Sequence, residues 1–297
     1  MRTRIRYSQN FLKDSSLVKS LIEKSSINKE DVVYEIGAGQ GIITEELLKR
    51  SGKVVAFEID ENFFHKLSRR FQYEKAVELR RGNFLDHHLP SQPYKVFSNI
   101  PFNITSTIVK KLTQADNPPE DAYLIVQKEA ANKFIGKPED RLNSLLSILI
   151  KSQFNIAISY KFDPNDFFPR PSVEVVVLRI QKLKEPLISP HDSQAFFDLV
   201  TFAYSQFQPN ILKGLNIVIN QEKLIKTANT EGFSTSSKPS QLELKDWVAI
   251  FQVFKDQSNE KQKNRVSGAY RNLQKQQDNL QKVNRTRVDK NWRKFSK

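Results

Sequence analysis

Residues 31–41 read D-V-V-Y-E-I-G-A-G-Q-G, and I-I-T-E-E-L-L-K-R follows at 42–50 with helical spacing of its apolar positions. An apolar run that stops on glycines and opens into a helix is a strand, a tight turn and a helix. Gly37, Gly39 and Gly41 let the chain turn sharply and let a ligand come close to the backbone. The spacing is not that of a dinucleotide fingerprint, because Thr44 stands where the last glycine of G-x-G-x-x-G would fall. No Gly-Lys-Ser/Thr follows either, so NAD and ATP are not first choices.

Outward from this turn, strand and helix patterns alternate. K-V-V-A-F-E-I-D (53–60) predicts a second strand and E-N-F-F-H-K-L-S-R-R-F a second helix. Further strands are expected at 76–81, 95–99, 122–127, 155–162 and 174–180. Such alternation predicts an α/β fold with a mostly parallel sheet. Beyond residue 181 a linker-like stretch (181–192) leads into helical patterns with no strand signal. We therefore expect an α/β domain over 1–180, a small helical domain over 183–254 and a tail over 255–297.

The chain has 297 residues, no cysteine and a net charge of +14. Without cysteine there is no disulfide framework or thiolate metal site, and no metal is expected. A balance this basic points to a polyanion, usually nucleic acid. Residues 255–297 hold thirteen Lys or Arg against four Asp or Glu. They are poor in large aliphatics, so the tail is expected to be largely disordered, with Trp292 and Phe295 available to stack on bases. The N-terminus shows no apolar signal region and no stretch is apolar enough to span a membrane, so a cytoplasmic location is expected.

Glu58 ends the second strand about twenty residues after the glycines, where a carboxylate can accept from both ribose hydroxyls of an adenosine-containing ligand. G-N-F-L-D (82–86) ends the third, and Asn83 or Asp86 could meet the adenine edge. His87 and His88 have no companion ligands and belong to a loop.

Four motifs in order, Y-S-Q-N-F-L (7–12), E-I-G-A-G-Q-G (35–41), F-S-N-I-P-F-N-I-T (97–105) and F-F-P-R-P-S-V-E-V (167–175), resemble those of the rRNA adenine-N6 methyltransferases. That group includes the erythromycin-resistance (Erm) and the KsgA-type enzymes. The resemblance implies a Rossmann-like class I methyltransferase domain with a seven-stranded sheet, and S-adenosylmethionine as donor. It carries over Asn10, Leu12, Gly37, Gly39, Glu58, Ile59, Asn83, Phe84 and Asn99 as cofactor contacts. The family usually has Asp at the position of Asn83. Asn keeps an acceptor oxygen but loses the charge.

At the strand end, the resemblance turns S-N-I-P-F into a catalytic loop. Adenine N6 is a poor nucleophile because its lone pair is delocalised into the ring. The Asn99 side-chain oxygen and the Ile100 carbonyl can accept its two hydrogens and draw the lone pair out of conjugation, an electrostatic lowering of the barrier by acceptors placed in advance. Pro101 braces the turn. Phe102 and Phe167 would hold the unstacked base between two rings. KsgA-type enzymes typically read N-L-P-Y, whereas N-I-P-F is closer to Erm; V-Q-K-E-A-A-N-K-F (126–134) looks more like KsgA. The expected activity is Erm-type methylation of 23S rRNA by a monomer, giving resistance to macrolide, lincosamide and streptogramin B antibiotics. Methylation of 16S rRNA is the alternative. A non-catalytic RNA-binding relative would need neither the glycine motif nor N-I-P-F.

Overall fold

A computed structural model describes residues 10–138 and 143–279. Two short strands, β1 (Phe11–Leu12) and β8 (Phe167–Phe168), pair with each other. The remaining strands, β2 (Val32–Ile36), β3 (Lys53–Glu58), β4 (Val77–Arg81), β5 (Lys95–Asn99), β6 (Asp121–Gln127), β7 (Phe154–Lys161) and β9 (Val175–Lys182), make one sheet. Its order is β4-β3-β2-β5-β6-β9-β7; the first five strands are parallel and β9 runs antiparallel to both neighbours. This is the Rossmann-like methyltransferase architecture expected from the alternation and the resemblance.

Helices cover both faces. α1 (Ser15–Glu23), α2 (Ile42–Arg50) and α3 (Glu61–Arg70) lie on one side, and α4 (Thr105–Thr113) and α5 (Lys128–Ile135) on the other. Pleating divides the inner strands β2, β3, β5, β6 and β9 between the two cores. On β3, Val54 and Ala56 join the α1–α3 core, and Val55 and Phe57 the other. Full burial of such a side chain stabilises by about 1.5–3 kcal/mol, which is why these strands read as continuous apolar runs rather than alternating ones.

The chain turns outward from β2 to β3 and β4 on one side, then crosses to β5 on the other. The crevice at such a switch point is where open α/β sheets bind ligands. Here it is opened by a local device. Registered pairing of β2 with β5 is confined to Val33–Lys95 and Tyr34–Val96. Further on, the Ser98 hydroxyl donates to the Ile36 carbonyl at 2.6 Å and accepts from the Ile36 N–H at 3.0 Å. A side chain thus replaces the ladder, and the two strand ends part without leaving buried backbone groups unpaired.

After β9 the chain is helical among the described residues. α6 (Leu145–Lys151), which precedes β7, packs against α7 (Ser193–Ser205), α8 (Ile211–Leu215), α9 (Gln221–Glu231) and α10 (Leu244–Gln257) around a third core containing Phe196, Leu199, Trp247 and Phe254. Two expectations are corrected. Gln181 and Lys182 of the supposed linker belong to β9, and Ile188 is buried in the helical core. The tail is not disordered from residue 255. α10 runs to Gln257, and α11 (Glu260–Val266) and α12 (Ala269–Asn279) follow, with Val266 and Tyr270 buried. The buried Asp198 carboxylate accepts from the Gly268 and Tyr270 N–H groups, both at 2.9 Å, and so anchors the start of α12. Val266, Tyr270 and an aspartate of another helix help to hold the first part of what composition marked as a largely disordered tail. Trp292, Phe295 and the start of Y-S-Q-N-F-L lie outside the described residues. No described helix is long and apolar enough to cross a membrane.

Candidate active site

The glycine turn lies over the C-terminal ends of β2 and β3. The Gly37 and Ala38 N–H groups both donate to the Phe57 carbonyl, at 2.8 and 3.0 Å, which curls the loop over β3. Gly37 has φ +79°, and a side chain there would meet nothing within 4 Å, so this backbone borders open space. Gly39 has φ +53°, and an added Cβ would lie 2.9 Å from the Phe11 ring. Only glycine serves both positions without strain or collision.

Two adjoining hollows open from the turn. The first is lined by Asn10, Leu12, Glu35, Gly37, Gly39 and the whole Asn99–Phe102 stretch, among others. The second is lined by Gly37, Glu58, Ile59, Asn83, Phe84 and Pro101 among others. Gly37 and Pro101 border both. Every residue expected at the cofactor therefore lies on one of the two. Asp86 is exposed and lines neither, so of the two residues offered for the adenine edge Asn83 is the one on the hollow. The Asn83 side chain also accepts from the Leu85 N–H at 3.1 Å and caps the short turn Phe84–Asp86. Phe84 is buried edge-on to Phe57, with ring centroids 5.1 Å apart.

The electrostatics are set by two buried carboxyls. Glu58 accepts from the Gly39 N–H at 2.7 Å and from the Asp60 N–H at 2.8 Å. Burial still pushes its pKa above the usual carboxylate range. Glu35 was not singled out from the sequence, yet it is only 1% exposed and lines the first hollow. Burial, with Glu58 adding repulsion, pushes its pKa up to about 8, against the hydrogen bond from the Thr44 hydroxyl at 2.6 Å. The signal was present: an acidic residue inside a strand that is otherwise apolar and buried needs a reason. Two desolvated acids lining adjoining hollows favour a cationic ligand, and an elongated site with an aromatic second half suits an adenosine. S-adenosylmethionine, a sulfonium and an ammonium joined to adenosine, fits these residues.

Asn99 completes a chain of amides. Its Nδ2 donates to the Asn10 carbonyl at 2.8 Å, and Asn10 Nδ2 donates to the Pro169 carbonyl at 2.6 Å. With Ser98 bonded to Ile36, all four motifs meet at one place. Donation through Nδ2 leaves Asn99 Oδ1 as the acceptor for another group. The Ile100 side chain is buried in the core, so only its backbone can serve the hollow. Phe102 is half-buried at the start of a short turn, and its carbonyl accepts from the Thr105 hydroxyl at 3.1 Å.

Phe167 is where the expectation fails. It is 2% exposed, packed edge-on to Phe162 with centroids 5.1 Å apart, and lines neither hollow. In the β1–β8 ribbon Phe167 pairs with the buried Leu12, and Phe168 pairs with Phe11. Residues opposite each other share a face. The alternation thus sends Phe167 into the core and leaves Phe168, 70% exposed, on the Phe11 side. A pair of adjacent phenylalanines cannot be told apart without knowing which face is buried.

Known proteins resemble this chain along most of its length. The chain is 28% identical over 251 residues, 84% of its length and 98% of the relative's, to a ribosomal RNA small subunit methyltransferase A of Mycoplasmopsis pulmonis. It is 30% identical over 220 residues, 70% of its length and 79% of the relative's, to the same-named protein of Clostridium botulinum. Among solved structures, the 23S rRNA methyltransferase ErmE superposes with a TM-score of 0.74 at 24% identity, over 83% of this chain and 100% of that one. A dimethyladenosine transferase from Plasmodium falciparum gives 0.68 at 20%, over 82% and 97%. A family model described as ribosomal RNA adenine dimethylase matches residues 1–256, from the first motif to the end of α10. The chain therefore belongs to the ribosomal RNA adenine dimethylase family, enzymes that methylate rRNA with S-adenosylmethionine as donor.

Proposed function

We propose that this chain is an Erm-type enzyme that transfers one or two methyl groups to N6 of an adenine in 23S rRNA, as a cytoplasmic monomer, and thereby confers macrolide, lincosamide and streptogramin B resistance. The observation that carries the reading is N-I-P-F at the rim of the first hollow, with Ile and Phe where the sister group has Leu and Tyr. The bound donor supplies an electrophilic sulfonium methyl. The protein's own part is to hold the amine. Asn99 Oδ1 accepts one N6 hydrogen and the Ile100 carbonyl the other, so the lone pair leaves conjugation with the ring. The bond from Asn99 to the Asn10 carbonyl keeps the amide from turning its donor end to the amine. Glu58 holds the ribose, and Ile59, Asn83 and Phe84 surround the donor's adenine. Asn10, Leu12, Gly37 and Gly39 border its amino-acid part beside Glu35.

Phe102 offers one face to the target base. For the second ring we assign Phe168 in place of Phe167, because it is the exposed member of the pair and shares the ribbon face of Phe11. We assign catalysis to residues 1–180 and RNA binding to the helical part that follows, through 183–254 and on into α11 and α12.

A small-subunit target is the second reading. The curated relatives named above carry that assignment, and V-Q-K-E-A-A-N-K-F at 126–134 leans the same way. Expression in a macrolide-sensitive bacterium, with primer extension on both rRNAs, separates the two. A new block in 23S rRNA with drug resistance is expected; a block in 16S rRNA alone gives the enzyme to the second reading. A protein that binds no S-adenosylmethionine in a calorimetric titration would be neither.

A further inference from the structure

The turn between α7 and α8 reads S-Q-F-Q-P-N (205–210). Phe207 at its tip is 99% exposed, more than any other large apolar residue described. It also has φ +49°, the only positive φ among described residues other than glycine. For a bulky side chain that region is an outlier, and glycine or asparagine would fill it at lower cost. The surroundings hold it there. The Ser205 hydroxyl donates to the Phe202 carbonyl at 2.9 Å on one side. On the other, Asn210 caps α8 by accepting from the Lys213 N–H at 2.9 Å, and the Ile211 N–H donates to the Ser237 carbonyl at 2.8 Å. A ring that packs against nothing and sits on strained backbone contributes no folding free energy. Strain of this kind persists where function uses it.

Its setting indicates what the ring is for. Gln206, Gln208, Pro209 and Asn210 surround it in sequence, and Lys213 of α8 and Lys238, next to the Ser237 that bonds Ile211, are exposed. A protein-binding hot spot would sit in a wider apolar patch. A lone ring among amides and lysines suits one flat π-face with polar edges and a phosphate on either side, which is an unpaired nucleotide. We propose that Phe207 is a base-stacking finger, gripping an unpaired nucleotide of the rRNA substrate outside the catalytic hollow. The proposal rests on rRNA as substrate, not on which subunit supplies it.

Filter binding of 23S and 16S rRNA transcripts to the full chain tests it. Phe207→Ala and Phe207→Gly should weaken binding of the preferred transcript about fivefold to a hundredfold, with Phe207→Trp staying near wild type, as expected for loss or retention of one stacked base. Calorimetric affinity for S-adenosylmethionine should not move in any variant. Phe207→Gly should also raise the melting temperature by relieving the positive φ, so stability and RNA affinity move in opposite directions. An unchanged RNA affinity in Phe207→Ala overturns the finger. So does an equal loss in all three variants, since that would reflect the shape of the turn rather than the ring. Wild-type protein that binds neither transcript overturns the rRNA substrate itself and the finger with it.

Discussion

The α/β part and the helical part use sequence differently. In the first, four short motifs far apart in the chain converge on two hollows, and polar groups such as Asn99, Asn10, Ser98 and Glu58 are held by specific hydrogen bonds. In the second, the work is done by apolar packing around Trp247 and Phe196, with Asp198 as a buried polar anchor. The contrast teaches that chemistry constrains residue identity, whereas packing constrains only size and polarity. Motifs are therefore visible in one part and absent from the other.

The comparison breaks most readily at its extremes. Trp247→Ala should destabilise the helical part by about 3–5 kcal/mol, read in urea unfolding, as loss of a large buried ring does. If cofactor affinity falls as steeply as RNA affinity, the separation of roles is wrong. Asn99→Ala should reduce methyl transfer by about a hundredfold to a thousandfold while calorimetric cofactor binding stays close to wild type, the usual loss for one acceptor or donor at the reacting centre. A near wild-type turnover would remove Asn99 from the reaction.

Smaller effects sharpen it. Asp198→Ala should cost about 1–3 kcal/mol and speed amide exchange across α12 before α10, because two buried N–H groups lose their acceptor. Slow exchange throughout would mean that Tyr270 and Val266 hold the helix alone. Glu35 adds a pH term. Its folded pKa, near 8, lies above the unfolded value of 4.5, so the folded state holds the extra proton between them. Stability should be full below the unfolded value and fall as pH rises through 8; Glu58 is displaced in the same direction. Glu35→Gln should flatten the decline in melting temperature as pH rises from 4.5 to about 8, and an unflattened decline would assign it elsewhere. Least of all, removing 280–297, with seven Lys or Arg against one Asp, should shallow the salt dependence of RNA binding.

Much of the site could be read without coordinates. The glycines, Glu58 and N-I-P-F all lie at strand ends, and a strand end is marked by where an apolar run stops. Glu35 escaped notice although it stood in the quoted motif, because its importance comes from burial. The burial of Phe167 was hidden for the same reason: the side a residue faces in a two-residue strand depends on its partner, Leu12 or Phe11, some 155 residues away. The helices at 260–279 were hidden because their composition is polar and few residues dock them, among them buried Val266 and Tyr270 and the N–H groups that bond Asp198.

Sequence alone determined the alternating α/β order and the glycine turn, since each depends on local patterns of apolar residues and glycine, and its four motifs carried the resemblance that marks the turn and N-I-P-F as site candidates. Tertiary structure alone decided that Asn99, Asn10 and Pro169 form one hydrogen-bonded chain and that Glu35 is buried against the Thr44 hydroxyl. It also decided that Phe167 is buried while Phe168 stays exposed. These depend on burial and on partners distant in the chain, and neither is written at the position of the residue itself.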